Sequence, residues 1–257
     1  DHAGKPELPD RLMRVGPQRI DWDGGSLHCL CDGAVAFGRD LFPDTRGVVL
    51  PERLVLPVQA YLLCRNGHAP VLIDTGSGGV DAGVARGLQA LGVDRGEIGT
   101  VVFTHLHGDH RGGYLAGGFE QARVCLSRGE AVYWAGQDHP ARQVMEAAGK
   151  KLVLVEDGDE PLPGLRVWAL PVHTPGHIGL VIDGQITVVG DILHRADLQL
   201  ADPELSTRFD VEPAVARVTR KAALARIAAE GLVFCGGHMR LPGQEEDPMG
   251  AAFLRLA

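Results

Sequence analysis

Several things this chain lacks narrow what it can be. It has only five cysteines (Cys29, Cys31, Cys64, Cys125, Cys235), an odd set without a Cys-x-x-Cys pair. That leaves no disulfide framework, and Cys29-x-Cys31 reads as two half-buried strand cysteines rather than a metal clip. Long apolar runs are missing as well: Leu152–Val155 and Ile178–Ile182 are strand length, far short of a membrane span. There is no basic excess, and the formal net charge of −8 argues against a nucleic-acid partner while leaving the substrate class open. Short-period repeats and low-complexity linkers are also absent. What is present is 45% hydrophobic content in 257 residues, enough for the sizeable core of one α/β domain. The chain begins at Asp1, not Met. A cytoplasmic protein is expected, or a periplasmic or secreted one if a signal was removed before Asp1.

Residues 1–20 carry Pro6, Pro9 and Pro17 and read as an extended N-terminal arm ahead of a catalytic domain over 21–257. Strands and helices then alternate. Residues 58–64 and 69–73 flank Asn66-Gly67, a strong hairpin signal. Val80, Val84, Leu88 and Leu91 recur at helical spacing, predicting a helix over 80–91 stopped by Gly92. Ser127-Arg128-Gly129-Glu130 is a capping box opening a helix through Trp134, and Asp138 with Pro140 opens another that closes at Gly149. Asp183-Gly184 marks a second hairpin. Val211, Val215, Val218, Ala222, Ala225 and Ala229 form one stripe of a long helix ending at Gly231. Two strand-rich halves with helices outside fit a four-layer sandwich.

The chemistry concentrates in Thr104-His105-Leu106-His107-Gly108-Asp109-His110, which follows the β-branched stretch Thr100-Val101-Val102-Phe103. Three imidazoles and a carboxylate within six positions, on a turn at a strand end, repel one another or are expensively desolvated unless a cation joins them. Loops at strand ends are where a rigid scaffold presents such groups. The nitrogen and oxygen mixture suits zinc, manganese or iron rather than magnesium or calcium. Further ligands must come from elsewhere, and His177, Asp191 and His238 each end a strand or a glycine-marked turn. Asp74, after Val71-Leu72-Ile73, has the same placement ahead of the cluster and is given a supporting role.

The ordered set Ile73-Asp74-Thr75-Gly76, His-x-His-x-Asp-His, Thr174-Pro175-Gly176-His177, Gly190-Asp191 and Gly236-Gly237-His238 resembles the metallo-β-lactamase superfamily across nearly the whole chain. The resemblance implies an αββα sandwich with two divalent metal ions, zinc first, with manganese, iron or cobalt as alternatives. It assigns His105, His107 and His177 to the first metal and Asp109, His110 and His238 to the second, with Asp191 bridging. Asp74 would orient a ligand from behind, and His173 would brace the Thr-Pro-Gly turn. Two such ions bridge a hydroxide that attacks a carbonyl or phosphoryl centre; Asp109, besides being a ligand, is the candidate to pass a proton to the leaving group.

Within the superfamily the pattern is most similar to the quorum-quenching N-acyl-homoserine lactonase and methyl-parathion-hydrolase branch. The likeness rests on the His-Gly-Asp-His-Arg-Gly-Gly run, on residues 56–62, and on Gly190-Asp191-Ile192-Leu193-His194 leading into 202–210. It implies a lactonase or arylesterase, with an organophosphate triesterase as the alternative and a mononuclear iron persulfide dioxygenase as the second. A non-catalytic binding protein stands further off, because the ligand set is complete. Some lactonases carry a Tyr shortly after the bridging Asp, but here the tyrosines are Tyr61, Tyr114 and Tyr133. His194 is the nearest polar replacement to donate to a substrate carbonyl. Leu41, Phe42, Leu198, Leu200, Phe209 and Met239 are expected to rim an apolar pocket for a small neutral substrate. No nucleic acid or membrane partner is expected, and a homodimer is left open.

Overall fold

The structure, a computed structural model, describes residues 12–16, 18–79, 82–240 and 253–256. Two sheets face each other. The first runs β2 (Arg19–Trp22), β3 (Gly25–Phe37), β4 (Leu54–Arg65), β5 (Val71–Ile73), β6 (Thr100–Val102), β7 (Arg123–Ser127) and β8 (Leu152–Val155), in that spatial order. Its first half is antiparallel and β5 to β8 are parallel. The second places β1 (Leu12–Gly16) beside β13 (Phe253–Leu256), followed by β12 (Val233–Cys235), β11 (Ile186–Val188), β10 (Ile178–Ile182) and β9 (Leu165–Ala169). Side chains alternate faces along each strand. Tyr61, Ile73, Val102 and Cys125 therefore point inward to meet Leu180, Val188 and Cys235, while Leu62, Leu72, Val101 and Val124 point out to the helices. Helices α1 (Gly83–Ala90), α2 (Gly108–Leu115), α3 (Arg128–Ala135) and α4 (Arg142–Ala148) cover the first sheet; α5 (Ala196–Gln199) and α6 (Pro213–Glu230) lie on the side of the second. This is the αββα sandwich that the motif order implies.

Both hairpins form, with Gly67 at φ 75° in one and Asp183 and Gly184 at φ 50° and 66° in the other. The Ser127 hydroxyl accepts from the Glu130 N–H at the start of α3. Within the stretch read as an arm, residues 12–16 form an edge strand paired antiparallel with β13. The first helix begins at Gly83, and positions 80–81 of the expected span lie outside the described residues. The largest correction concerns α6. Its expected apolar stripe faces solvent, with Val218 70% exposed, and the packed face is Ala216, Arg220, Ala223, Leu224 and Ile227. The reason is Arg220, whose guanidinium is fully buried and donates to the carbonyls of Ile192, Pro203 and Leu205 and to Asp210. Periodicity that counts arginine as polar selects the wrong side of this helix.

Candidate metal centre

Six segments bring the site together at one end of the sandwich. Asp74 follows β5, His105 and His107 follow β6, and Asp109 and His110 open α2; His173 lies between β9 and β10, Asp191 follows β11, and His238 follows β12. The centre of the arrangement is Asp191 Oδ2. It lies 3.2 Å from His238 Nε2, 3.3 Å from His110 Nε2, 3.6 Å from His105 Nε2, and 3.7 Å from both His173 Nε2 and His194 Nε2. Around it, four sets of side chains each converge within metal-ligand range: His105, His107 and His173; His105, His110 and Asp191; Asp109, His110 and His238; and His173, Asp191 and His194. Only glycine fits at two of the turns. A Cβ on Gly190, itself at φ 54°, would meet His177 Nε2 at 2.3 Å, and one on Gly237 would meet Asp191 Oδ1 at 2.3 Å.

The histidines of the Thr-Pro-Gly turn exchange the places expected of them. His173 joins His105 and His107, with ring centroids 5.0 and 4.3 Å away. His177 stays outside the ligand sets because both its nitrogens are occupied: Nδ1–H donates to Leu170 O at 2.7 Å, and Nε2 accepts the Asp191 N–H at 2.9 Å. It has no lone pair left for a cation, and it serves instead to hold the Asp191 backbone.

Other groups set which nitrogen of each ring faces inward. Asp74, in the left-handed region at φ 58°, accepts from Thr104 N (2.8 Å), Thr104 Oγ1 (2.7 Å) and His110 Nδ1 (2.9 Å). Thr104 Oγ1 in turn accepts from His105 Nδ1 at 3.1 Å, and Pro57 O accepts from His238 Nδ1 at 2.7 Å. Three rings are thereby oriented with Nε2 toward Asp191. Sequence reasoning missed Glu130, which it read as a helix-capping residue. Its fully buried carboxylate accepts from Leu106 N (2.8 Å), Trp134 Nε1 (2.5 Å) and Thr174 Oγ1 (2.5 Å), tying the His105–His107 loop to the His173 loop.

The donor set fits divalent metal. His105 Nε2, His110 Nε2, His194 Nε2 and Asp191 Oδ1 are buried without a hydrogen-bond partner, a cost of roughly 1–3 kcal/mol for each such atom. Burial pushes His105 and His194 well below the usual imidazole range, His107 down to about 2 and His177 to about 4, so these rings stay neutral. Burial also opposes charge on His110 and His238, but Asp191 and Asp109 outweigh it and raise both. Asp191 is held well below the carboxylate range by His110, His238 and His105, against the effect of its burial. Imidazoles with carboxylates between them suit zinc, manganese, iron or cobalt.

At the cluster opens a cavity of about 490 Å³ whose lining includes Val35, Phe37, Leu56 and Phe209 together with Trp134 and His139, which stack at 4.4 Å. His107, Asp109, His173, Asp191, His194 and His238 line it as well. Of the expected apolar rim only Phe209 lines this cavity. Leu41, Phe42 and Leu198 pack in a core cluster behind it with Leu56, and Leu200 and Met239 in the core beside α6, because neighbours in sequence to a site residue bury their side chains wherever the nearest core lies.

With this geometry in hand, a model of the metallo-beta-lactamase superfamily matches residues 53–238. An N-acyl homoserine lactonase from a Bacillus species is 28% identical over 199 residues, spanning 66% of this chain and 76% of its own. AidC, a dizinc quorum-quenching lactonase solved with a product, N-hexanoyl-L-homoserine, superposes with a TM-score of 0.78 at 20% identity over 88% of this chain and 91% of its own. The hydrolase AbOPH gives 0.71 at 23% identity over 93% and 96%. Motif order, sandwich and sequence match agree, and the chain belongs to the metallo-β-lactamase superfamily.

Proposed function

We propose that this protein is a dinuclear metal-dependent hydrolase that opens lactones of the N-acyl-homoserine type or cleaves aryl esters. The observation that carries the reading is the position of Asp191 Oδ2, between the His105, His107, His173 corner and the Asp109, His110, His238 corner, beneath an apolar cavity. Those residues would hold two divalent ions with Asp191 shared between them. Bound there, the ions supply Lewis acidity and make hydroxide available at neutral pH.

The remaining roles belong to the side chains. Asp109 is partly exposed to the cavity, with Oδ2 3.4 Å from His238 Nε2 in the ligand set, and its other carboxylate oxygen is the candidate to carry a proton to the departing alkoxide. His194, neutral through burial and stacked between Phe209 and His238, donates a ring N–H to the substrate carbonyl. Phe37, Leu56 and Phe209 receive an acyl or aryl group, which suits a small neutral substrate. The likeness to N-acyl homoserine lactonases supports the lactone as first choice.

Metal analysis followed by kcat/KM on decanoyl-homoserine lactone, phenyl acetate, paraoxon, nitrocefin and glutathione persulfide tests this. The expected result is two ions per chain and preference for the lactone or the aryl ester. Preference for nitrocefin, or one iron per chain with persulfide oxidation, overturns the reading.

A further inference from the structure

Beside His173 Nδ1 stands another buried carboxylate, that of Asp210. Asp210 Oδ1 lies 3.6 Å from His173 Nδ1, and neither atom has a hydrogen-bond partner in the folded chain. The other oxygen, Oδ2, accepts from Arg220 at 3.2 Å and from Thr207 N at 3.1 Å. The backbones are joined as well, Val211 N donating to His173 O at 3.2 Å. Arg220, fully buried on α6, also donates to Ile192 O at 2.6 Å, one residue after Asp191. The same cation thus fixes the Asp210 carboxylate and the loop that carries Asp191 and His194.

We infer that Asp210, held by Arg220, is a positioning residue for His173: it accepts the Nδ1 proton and leaves the Nε2 lone pair facing His105, His107 and Asp191. This rests on the dinuclear reading given above. It makes the His173 corner the counterpart of the His110 corner, where Asp74 takes the Nδ1 proton at 2.9 Å. A carboxylate behind a ligating imidazole fixes its tautomer and raises its basicity, and losing one typically costs 10–100-fold in metal affinity.

The test begins without metal, because the tautomer is a property of the chain itself. Long-range ¹H–¹⁵N spectra of the metal-free wild type should show His173 in its Nδ1–H form; an Nε2–H form overturns the inference with no variant needed. In Asp210→Asn, Arg220 and Thr207 N still require the side-chain oxygen, so the amide NH₂ turns toward His173 and the tautomer should invert. Cobalt titration should then show one of two ions weakened on the order of 10–100-fold, with the other unchanged, and Asp74→Asn should weaken the opposite corner. An Asp210→Asn variant that keeps the wild-type tautomer and both affinities overturns the positioning role. A wild-type chain that binds fewer than two ions fails the dinuclear reading instead, and the metal-free tautomer still decides on Asp210.

Discussion

The two corners flanking Asp191 are made of different materials. One is three imidazoles, His105, His107 and His173, with no carboxylate among them and Asp210 behind His173; the other sets Asp109 beside His110 and His238 and has Asp74 directly behind His110. Orientation is achieved in a similar way in both, by an oxygen behind the ring: Thr104 Oγ1 for His105, Asp74 for His110, Pro57 O for His238. Charge is distributed unequally. Ring orientation and charge are thus separate variables: a histidine can be removed from one corner while the other keeps its own side chains, whereas Asp191 faces both, and Asp74 reaches His110 directly and His105 through Thr104.

Asp191→Asn is therefore the substitution with the largest expected effect. It keeps the volume and removes the charge shared by both corners, and both metal affinity and turnover should fall by about a hundredfold or more. Wild-type rates in a metal-replete variant would refute the bridging assignment. Next come the corners separately. His173→Ala should cost the ion on its own side, whereas His110→Ala or His238→Ala should lose the other ion first, read by metal stoichiometry after dialysis. His177→Ala, by contrast, should keep two ions, since that ring faces the Asp191 N–H; loss of an ion there in place of His173→Ala would restore the sequence-based assignment.

Glu130→Ala acts on one corner from outside the ligand set. It leaves three buried donors, from Leu106, Trp134 and Thr174, without their acceptor. A loss of about 3 kcal/mol in unfolding free energy is expected in chemical denaturation, with the His105, His107, His173 corner weakened before its neighbour. The smallest effect belongs to His194→Ala. Turnover should drop by about tenfold, the equivalent of one lost hydrogen bond of about 1.4 kcal/mol, with metal content intact. Unchanged kcat/KM would make His194 a bystander.

Much of this candidate site is legible in the sequence because the residues that would hold the ions sit where β-branched strands end. Asp74, His105, Asp191 and His238 each lie within three residues of the end of such a strand, and the hairpins at Asn66-Gly67 and Asp183-Gly184 carry their own turn chemistry. What was illegible is physical in each case. His173 and His177 share one turn and one residue type, and only the Asp191 N–H, which takes up His177 Nε2, separates them. Glu130 satisfies the pattern of a helix cap, so its burial against three donors leaves no trace in periodicity. Arg220 is a cation in the most buried stripe of α6, and its presence there is explained by four oxygen acceptors scattered along residues 192–210.

The candidate ligands come from both sheets: His105, His107, Asp109 and His110 follow strand β6, and His173, Asp191 and His238 follow strands of the facing layer. Ions shared by them would link the two halves of the sandwich, so their binding would be coupled to the folding equilibrium. By mass action, a free ion concentration a hundred times its dissociation constant adds about 2.7 kcal/mol to the folded state. A chelator would then act on this protein as a mild denaturant, lowering its melting temperature at concentrations set by metal affinity and not by any effect on water.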